Sequence, residues 1–323
     1  MSTTARAEEA KQSSINAAAS QSIDKDMYRW VEQVCPVCEA PPTTLIGRRG
    51  GSAHRQGLGV VCDVWRCATC GLIFPNPMPV PVGGPDQHYG VEADDYFEQH
   101  ETGDKVESAL GFLRQAEGLT GGRGRLLDIG AGRGELLRVA REQGWTAVGI
   151  ETSSTFAAHA ARYSGAEIKQ QTLEECGFES NSFDVVILAA VLEHLYNPDE
   201  IIKEIARILR PGGALFVDVP NEEGLYFRIG NLYQRLRRRD WVVNLSPTFS
   251  PFHVFGFGPK SLRALLAKHG LRPKLWRLYS VRTSVPAGGG LTSFLERQAS
   301  EVVLAVSRLG NLGTFIETWA VKS

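Results

Sequence analysis

The stretch Leu126-Leu-Asp-Ile-Gly-Ala-Gly-Arg-Gly134 decides the fold, because an apolar run meets an acid and then three glycines at alternate positions. Glu135-Leu-Leu137 follows directly, so the order is a strand, a tight turn and a helix. Glycine lets the backbone turn without a Cβ and approach a ligand closely, and the N–H groups that begin a helix attract anionic groups. The turn is therefore predicted to bind a charged small molecule.

A second apolar run, Thr146–Glu151, ends in an acid shortly after the glycine turn. Rossmann-like units place a carboxylate on ribose hydroxyls about 20 residues after their glycines. The glycine spacing is G-x-G-x-G and not that of the dinucleotide fingerprint, which would need glycine where Glu135 stands. Glu151 is therefore the predicted ribose ligand.

The segments after Glu151 continue the alternation of strand and helix. Glu167–Gln171 is predicted to be a third strand, and the largely apolar Phe183–Ala190 a strand buried on both faces. Asn197-Pro-Asp-Glu200 has the residues of a helix start, and this helix is expected to end at Pro211-Gly-Gly213. Ala214–Val219 is the next strand. This order predicts an α/β fold with a parallel sheet.

In this order the motifs resemble those of the class I S-adenosylmethionine-dependent methyltransferases. The matching patterns are D-x-G-x-G-x-G, a strand-terminal acid, S-F-D-x-V, an L-E-H loop, and R-x-L-R-P-G-G before a strand ending V-P-N, all within residues 108–221. The resemblance implies a Rossmann-like fold with a seven-stranded, mostly parallel sheet. Leu275–Val281 and Phe315–Val321, with a helix over 291–309 between them, would form its antiparallel edge. A homodimer through that helix is left open.

The resemblance also implies S-adenosylmethionine as the cofactor and assigns its contacts. Asp128, Gly130 and Gly132 would surround the methionine part, and Glu151 would hold the ribose. The full predicted set lies in the turn and at the strand ends: Asp128, Gly130, Gly132, Gly134, Glu151, Thr152, Leu173 and Ala189. Within it, Leu173 would lie near the adenine and Ala189 would line the floor.

Two cysteine pairs precede these motifs, Cys35-Pro-Val-Cys38 and Cys67-Ala-Thr-Cys70. Each C-x-x-C turn can present two thiolates to one ion, and two such turns make a closed four-sulfur site of the structural zinc type. Disulfides and redox chemistry are the alternatives, and both are disfavoured in a reducing compartment without a thioredoxin-like strand. Cys62 and Cys176 are predicted to be packed side chains. His54 is expected to be a surface loop residue.

The segment after the second cysteine pair extends the resemblance. Leu72-Ile-Phe-Pro-Asn-Pro77, followed by Tyr89 and by Tyr96-Phe97, is similar to the zinc-ribbon-fused bacterial methyltransferases, many of which are associated with sugar or polysaccharide pathways. Residues 92–118 are predicted to be helical and to cover the cofactor cleft. Whether Tyr89 or Tyr96 lies near the sulfonium or only packs the ribbon on the core stays open.

Methyl transfer from a sulfonium is an in-line displacement, so the enzyme mainly positions the reactants and supplies a base where the acceptor is a hydroxyl. His194 and His253 are the predicted catalytic residues. His194 follows Glu193 after the fourth strand, and His253 is the first choice of acceptor-side base. The ubiquinone-pathway O-methyltransferases have a further glutamate where this chain has Ala190, and this departure argues against a catalytic metal.

Residues 221–258 form an insert where this family builds its acceptor pocket. The insert contains the cluster Arg235-Leu-Arg-Arg-Arg239, which could bind phosphate or a membrane surface or could be a solvated charged face. It is also rich in rings: Tyr226, Phe227, Tyr233, Trp241, Phe249, Phe252, Phe255 and Phe257. A small-molecule or glycan acceptor, phosphorylated or not, is the expected partner.

The sequence predicts four segments along the chain. We predict a disordered tail over 1–24, a zinc-ribbon-like module over 25–82, a helical cap or linker over 83–120 and a methyltransferase domain over 121–323. The net charge of −1 argues against nucleic acid as partner. No apolar run reaches the ~18 residues of a membrane helix and the start lacks the core of a signal peptide, so a cytoplasmic protein is expected. An RNA or protein methyltransferase and a non-catalytic zinc-ribbon scaffold remain alternatives.

Overall fold

The computed structural model describes residues 27–53, 59–83, 105–246, 252–280, 291–309 and 312–323. The predictions for the tail, for His54, and for Tyr89 and Tyr96 fall outside these ranges. So does the part of the predicted cap before residue 105. Among the described residues, no helix combines the length and the apolar character that crossing a membrane requires.

The N-terminal module consists of two small antiparallel sheets. One sheet pairs the first and last strands of the module, and the other joins the three strands between them. The strands are β1 Tyr28–Val31, β2 Thr44–Arg49, β3 Cys62–Arg66, β4 Ile73–Pro75 and β5 Met78–Pro81. The four cysteines of the two C-x-x-C turns lie in the connections between these strands.

The rest of the chain alternates strands and helices. Its elements are α1 Lys105–Thr120, β6 Arg125–Ile129, α2 Glu135–Glu142, β7 Thr146–Ile150, α3 Ser154–Ser164, β8 Glu167–Lys169, β9 Phe183–Ala189, a 3₁₀ turn Leu192–His194, α4 Pro198–Ile208, β10 Leu209–Pro220, α5 Leu225–Leu236, α6 Pro259–Lys268, β11 Leu271–Tyr279, α7 Leu291–Leu309 and β12 Phe315–Lys322. The helix expected to end at Pro211-Gly-Gly213 stops at Ile208, because strand β10 already begins at Leu209.

The large sheet has the order β11-β12-β10-β9-β6-β7-β8. Strands β10, β9, β6, β7 and β8 are parallel, and β12 runs antiparallel to both of its neighbours. The Rossmann-like, mostly parallel sheet expected from the sequence is confirmed. Because its strands are parallel, their carboxyl ends meet at one edge, and ligands bind there in folds of this kind.

Both faces of the sheet are covered, which explains the unbroken apolar run of β9. Val185 and Ile187 face a cluster that includes Leu113 of α1, whereas Val186 and Leu188 face a cluster that includes Ile205 of α4. Residues 185–188 are at most 1% exposed. The described part of the predicted cap, helix α1, thus forms part of the layer on one sheet face.

The module and the methyltransferase fold share one hydrophobic core. Phe74 of β4 packs against Phe255, with ring centroids 6.0 Å apart. Ile73 and Gly256 exchange two backbone hydrogen bonds of 2.9 and 2.7 Å. The sulfur-bearing turns belong to the same buried cluster as the α4 side of the sheet. The module therefore packs onto the end of the insert and is part of one compact body with it.

Candidate active site

Each glycine of the turn after β6 has a left-handed backbone, but the three have different surroundings. Their φ angles are +74° at Gly130, +51° at Gly132 and +82° at Gly134. A Cβ at Gly130 would lie 2.6 Å from Val191, and one at Gly134 would lie 3.1 Å from the backbone of Ala160. At Gly132 no described atom would be nearer than 4.0 Å. Gly130 and Gly134 thus permit close packing, whereas Gly132 faces open space.

Glu151 connects the second strand to this turn. Its carboxylate accepts hydrogen bonds from the backbone N–H groups of Gly132 and Ser153, both at 3.0 Å. Burial raises the pKa of Glu151, while these backbone donors act in the opposite direction. Burial, with Glu151 and Glu135 adding to the effect, raises the pKa of Asp128 to about 7. Two acids therefore flank an open glycine cradle, an arrangement that fits a cationic ligand with ribose hydroxyls.

The remaining predicted cofactor residues are spread along the same region. Thr152 follows Glu151 and is partly buried. Ala189 ends β9 and is exposed, next to Ala190, whose N–H donates to the Asp218 carbonyl at 2.9 Å. Leu173, in contrast, is 2% exposed and belongs to the main hydrophobic cluster.

The two predicted catalytic histidines lie together. The rings of His194 and His253 meet edge to face, with centroids 4.9 Å apart. His194 Nε2 is 4.0 Å from Glu193 Oε1, and His194 Nδ1 is 3.2 Å from the Phe252 carbonyl oxygen. Burial, His194 and Arg49 lower the pKa of His253 to about 3, which keeps its imidazole neutral. Glu193, buried to 2% exposure, has its pKa raised to about 8 mainly by burial.

Arg49, which the sequence analysis did not single out, connects the N-terminal module to the segment that carries His253. Arg49, at the end of β2, is 3% exposed. Its guanidinium donates to the carbonyl oxygens of Leu245 at 2.7 Å and His253 at 2.6 Å, and its Nε lies 3.3 Å from Cys62 Sγ. No sequence motif marks these contacts, since their partners lie about 200 positions away. Arg49 fixes the backbone that carries His253.

Replacing Arg49 with methionine is expected to lower the free energy of unfolding by about 2–4 kcal/mol, because two buried carbonyl oxygens lose their donor. Its neighbour Arg48 provides the control. Arg48 pairs with Asp240 at 2.6 Å on the surface, so Arg48→Met should change the free energy of unfolding by less than about 1 kcal/mol. Urea denaturation of both variants measures the difference, and equal effects would contradict the role of Arg49.

A second buried network fixes the insert after β10. The carboxyl of Glu222 accepts from Asn244 Nδ2 at 2.8 Å and from the Leu245 N–H at 3.2 Å. Asn244 Oδ1 in turn accepts from Asn231 on α5 at 2.6 Å. Burial raises the pKa of Glu222 to about 7, although Asn244, Leu245 and Arg49 oppose the shift. Phe255, one of the rings expected in the acceptor pocket, is fully buried in the core beside this network.

The buried acid Asp128 has a consequence for pH dependence. Its pKa lies near 7 in the folded protein and near 3.8 ordinarily, so between these values the folded state holds a proton that the unfolded chain has lost. Asp128 therefore destabilises the fold increasingly as the pH rises to about 7. Relative to the wild type, Asp128→Asn should gain about 2–3 kcal/mol between pH 5 and 8. Urea denaturation without cofactor tests this, and a pH-independent difference would contradict it.

The four predicted metal ligands Cys35, Cys38, Cys67 and Cys70 form one cluster. Sγ atoms face each other at 3.4 Å in the pairs Cys35–Cys70 and Cys38–Cys67, and all four lie within 4.8 Å of one another. No cysteine in the described part of the chain forms a disulfide. The hydrogen bond from Cys35 lowers the pKa of Cys70 to about 5. Four sulfurs bound tetrahedrally at about 2.3 Å lie at comparable separations, so the donor set fits zinc.

The backbone of the two cysteine turns repeats the same design. In each turn the first cysteine accepts, at its carbonyl, from the residue four positions on, and donates its N–H to the carbonyl of the residue five positions on, at 2.8–2.9 Å. The residue after the second cysteine is left-handed in both turns, Glu39 at φ +60° and Gly71 at +85°. The two turns therefore present their sulfurs in equivalent ways to one point.

The arginine cluster of the insert lies at the surface and is partly engaged by rings. Arg237 lies 5.4 Å from the ring centroid of Tyr233, and Arg239 lies 4.6 Å from that of Trp241. Apolar side chains of α5 are exposed on the same helix, Leu236 at 76%. The structure thus exposes both the charged and the apolar residues of this segment.

A mostly parallel sheet with a glycine turn and a strand-terminal acid at its carboxyl edge defines a nucleotide-type cofactor-binding domain. Residues 97–274, more than half of the chain, match the family described as "Methyltransferase domain". The chain belongs to this family, and the matched region is an S-adenosylmethionine-dependent methyltransferase domain.

Relatives with assigned names agree with this membership. A protein of Mycolicibacterium smegmatis named "probable S-adenosylmethionine-dependent methyltransferase" is 30% identical over 146 residues, covering 45% of this chain and 51% of its own. A ubiquinone biosynthesis O-methyltransferase of Caulobacter sp. strain K31 is 38% identical over 124 residues, covering 36% and 49%. The chain thus spans about half the length of these curated relatives.

Solved structures agree on the fold. A methyltransferase of Archaeoglobus fulgidus that depends on S-adenosylmethionine superposes with a TM-score of 0.50 at 19% sequence identity. The match covers 72% of this chain and 100% of the other. At this identity the likeness concerns the fold alone.

Proposed function

We propose that this protein transfers the methyl group of S-adenosylmethionine to a hydroxyl oxygen of a small-molecule or glycan acceptor. The observation that carries the proposal is the pairing of Glu151 with the Gly132 N–H beside an open glycine cradle. The similarity to ubiquinone biosynthesis O-methyltransferases supports a small acceptor and transfer to oxygen. The absence of a strong positive charge is consistent with an acceptor other than nucleic acid.

The residues at the carboxyl edge of the sheet would each contact a different part of S-adenosylmethionine. Gly132 leaves the space into which the methionine part fits, and Asp128 is the buried acid of β6 just before the turn. Glu151 exchanges its backbone donors for ribose hydroxyls, or shares them, and Thr152 adjoins it. Ala189 lines the floor of the cofactor site, and Leu173 lies near the adenine from within the hydrophobic cluster. Each of these residues binds or orients, which is the main task in an in-line displacement.

S-adenosylmethionine, when bound, supplies an electrophilic methyl group on a sulfonium. As the oxygen–carbon bond forms, the sulfur–carbon bond breaks and its electron pair stays on sulfur, so only the proton of the acceptor hydroxyl has to be removed. Glu193 and His194 follow β9, His253 lies near the end of the insert, and the acceptor hydroxyl is placed against this cluster. Burial keeps the imidazole of His253 neutral, so the cluster presents an unprotonated nitrogen to the hydroxyl.

The cysteine cluster holds a structural Zn²⁺ in this account. The equivalent backbone of the two turns and the short sulfur–sulfur distances support the assignment. A four-cysteine site leaves no open coordination position, so the ion would stabilise the module and take no part in transfer. Through Ile73 and Arg49 the module in turn positions the segment that carries His253.

Incubation with S-adenosylmethionine labelled in its methyl group tests the proposal. The purified protein is offered fractionated pools of small molecules, glycans, RNA and protein, and label is expected in the small-molecule or glycan pool only. Glu151→Ala serves as the control with an impaired cofactor site. Label in RNA or protein alone would overturn the acceptor class, and no transfer despite cofactor binding to the wild type would favour a non-catalytic scaffold.

A further inference from the structure

Glu193 has a feature that a plain histidine base does not explain. Its side chain is buried, and Oε2 has no hydrogen-bond partner among the described residues. A buried carboxyl oxygen without a partner is costly, so such a group usually serves a function or binds a ligand. Both imidazoles of the cluster lie beside it.

The distances within this cluster are too long for direct hydrogen bonds and leave room for an ion between the side chains. One ligand atom from each of Glu193, His194 and His253 lies within 4.8 Å of the other two. The 4.0 Å between Glu193 Oε1 and His194 Nε2 is too long for a hydrogen bond. Two atoms bound tetrahedrally to one ion at about 2.0–2.2 Å each lie about 3.4 Å apart, so an ion would draw these side chains together by a few tenths of an ångström or more.

Hydrogen bonds to the backbone hold these side chains and their segments in place, as is usual for metal ligands. His194 Nδ1 lies 3.2 Å from the Phe252 carbonyl oxygen, which can only accept, so the proton is on Nδ1 and Nε2 is the ring nitrogen that carries a lone pair. The backbone carbonyl of Glu193 accepts from the N–H groups of Val254 and Phe255 at 2.8 and 3.1 Å. Arg49 binds the carbonyl of His253. The two segments that supply the ligands are therefore fixed to each other.

We propose that Glu193, His194 and His253 bind a divalent transition-metal ion at the acceptor side of the site. Two imidazoles and one carboxylate suit Zn²⁺, Fe²⁺ or Co²⁺, and three protein ligands leave a coordination position open. The inference rests on the proposed function, since that position would receive the acceptor hydroxyl. Coordination would lower the pKa of such a hydroxyl so that its proton could pass to solvent, and with the ion bound the imidazoles would serve as ligands in place of the base described above.

The proposed metal site was not expected from the sequence. Ala190 stands where the ubiquinone-pathway enzymes have an additional glutamate, and that departure argued against a metal. In the structure the third ligand is His253, from a segment about 60 positions further along the chain, which no local pattern around Glu193 could indicate. The ligand set is then two nitrogens and one oxygen.

Cobalt binding tests the proposal without relying on activity. Co²⁺ is added to the protein as purified, with the cysteine cluster still loaded, and is followed by its visible absorption. We expect one equivalent of Co²⁺ to bind without a thiolate charge-transfer band, which separates this site from the four-sulfur site. His253→Gln and Glu193→Gln should each weaken the affinity at least about 100-fold, since one of three ligands is lost.

His159→Gln on α3 is the matched control and should bind Co²⁺ like the wild type. His194→Gln is a second ligand variant in case one of the others misfolds, and circular dichroism checks folding. Wild-type protein that binds S-adenosylmethionine but no Co²⁺ would overturn the metal site and leave the proposed function standing. Co²⁺ binding without S-adenosylmethionine binding would overturn the proposed function and leave the metal site standing. Ligand variants that bind Co²⁺ like the wild type would refute Glu193, His194 and His253 as the metal ligands.

Discussion

Replacing Glu151 with alanine is expected to weaken the binding of S-adenosylmethionine about 10- to 100-fold. Hydrogen bonds to a charged group contribute about 1.5–3 kcal/mol, and each 1.4 kcal/mol corresponds to a factor of ten in affinity. The change also leaves the Gly132 and Ser153 N–H groups without their acceptor, so the turn itself becomes less ordered. Isothermal titration calorimetry measures the loss directly.

Two further variants make this result specific. Glu151→Gln keeps one acceptor oxygen but loses the charge, so its affinity should lie between those of the wild type and Glu151→Ala. Glu142→Ala removes an exposed acid of α2 that pairs with Arg138, and its affinity should be unchanged. If Glu151→Ala bound the cofactor as tightly as Glu142→Ala, the ribose assignment would be wrong.

Replacing Cys70 with serine should release one zinc ion per chain and lower the free energy of unfolding by at least about 3 kcal/mol. Structural zinc sites contribute folding energy directly, and here the sulfur turns are part of the main hydrophobic core. The effect should therefore reach the methyltransferase fold beyond the module. Mass spectrometry of metal content and thermal unfolding are the measurements.

Cys176 provides the control for the cysteine experiment. It is partly buried and lies outside the four-sulfur cluster, so Cys176→Ser should retain the zinc and change stability by less than about 1 kcal/mol. A Cys70→Ser protein that unfolds at the wild-type temperature, or a wild-type protein that is folded and free of zinc, would refute the structural zinc site.

The parts of the site that the sequence could predict are those set by local chemistry. The glycines at 130, 132 and 134 have the positive φ angles that their pattern requires, and Glu151 is in contact with the turn as its spacing implies. The clustering of the four cysteines could be predicted because the sequence contains two C-x-x-C turns of the same kind. These features depend on neighbours a few positions apart or on a repeated unit.

The parts that the sequence could not predict depend on contacts between distant segments. Arg49 looks like its exposed neighbour Arg48, yet it is buried because the insert and His253 lie over it. Phe255 and Phe257 looked like pocket rings, yet they fill the core between module and sheet. Composition shows that a segment is aromatic, but only the tertiary fold decides which rings meet solvent.

The three glycines of the turn after β6 differ in what the structure requires of them. They look equivalent in sequence, but Gly130 and Gly134 accommodate Val191 and Ala160, and Gly132 alone faces open space. The space for a ligand therefore lies at one of the three positions. The other two glycines are required even if no ligand ever binds.

Titration of the protein with S-adenosylmethionine, compared with Gly132→Val, tests the central claim most directly. The wild type should bind one equivalent of cofactor, displaced by S-adenosylhomocysteine. In the variant the added side chain would fill the open cradle at a φ of +51°, which strains a β-branched residue, so binding should be lost, and circular dichroism checks that the variant is folded. A wild-type protein that binds no cofactor, or a folded variant that binds it equally well, would contradict the account.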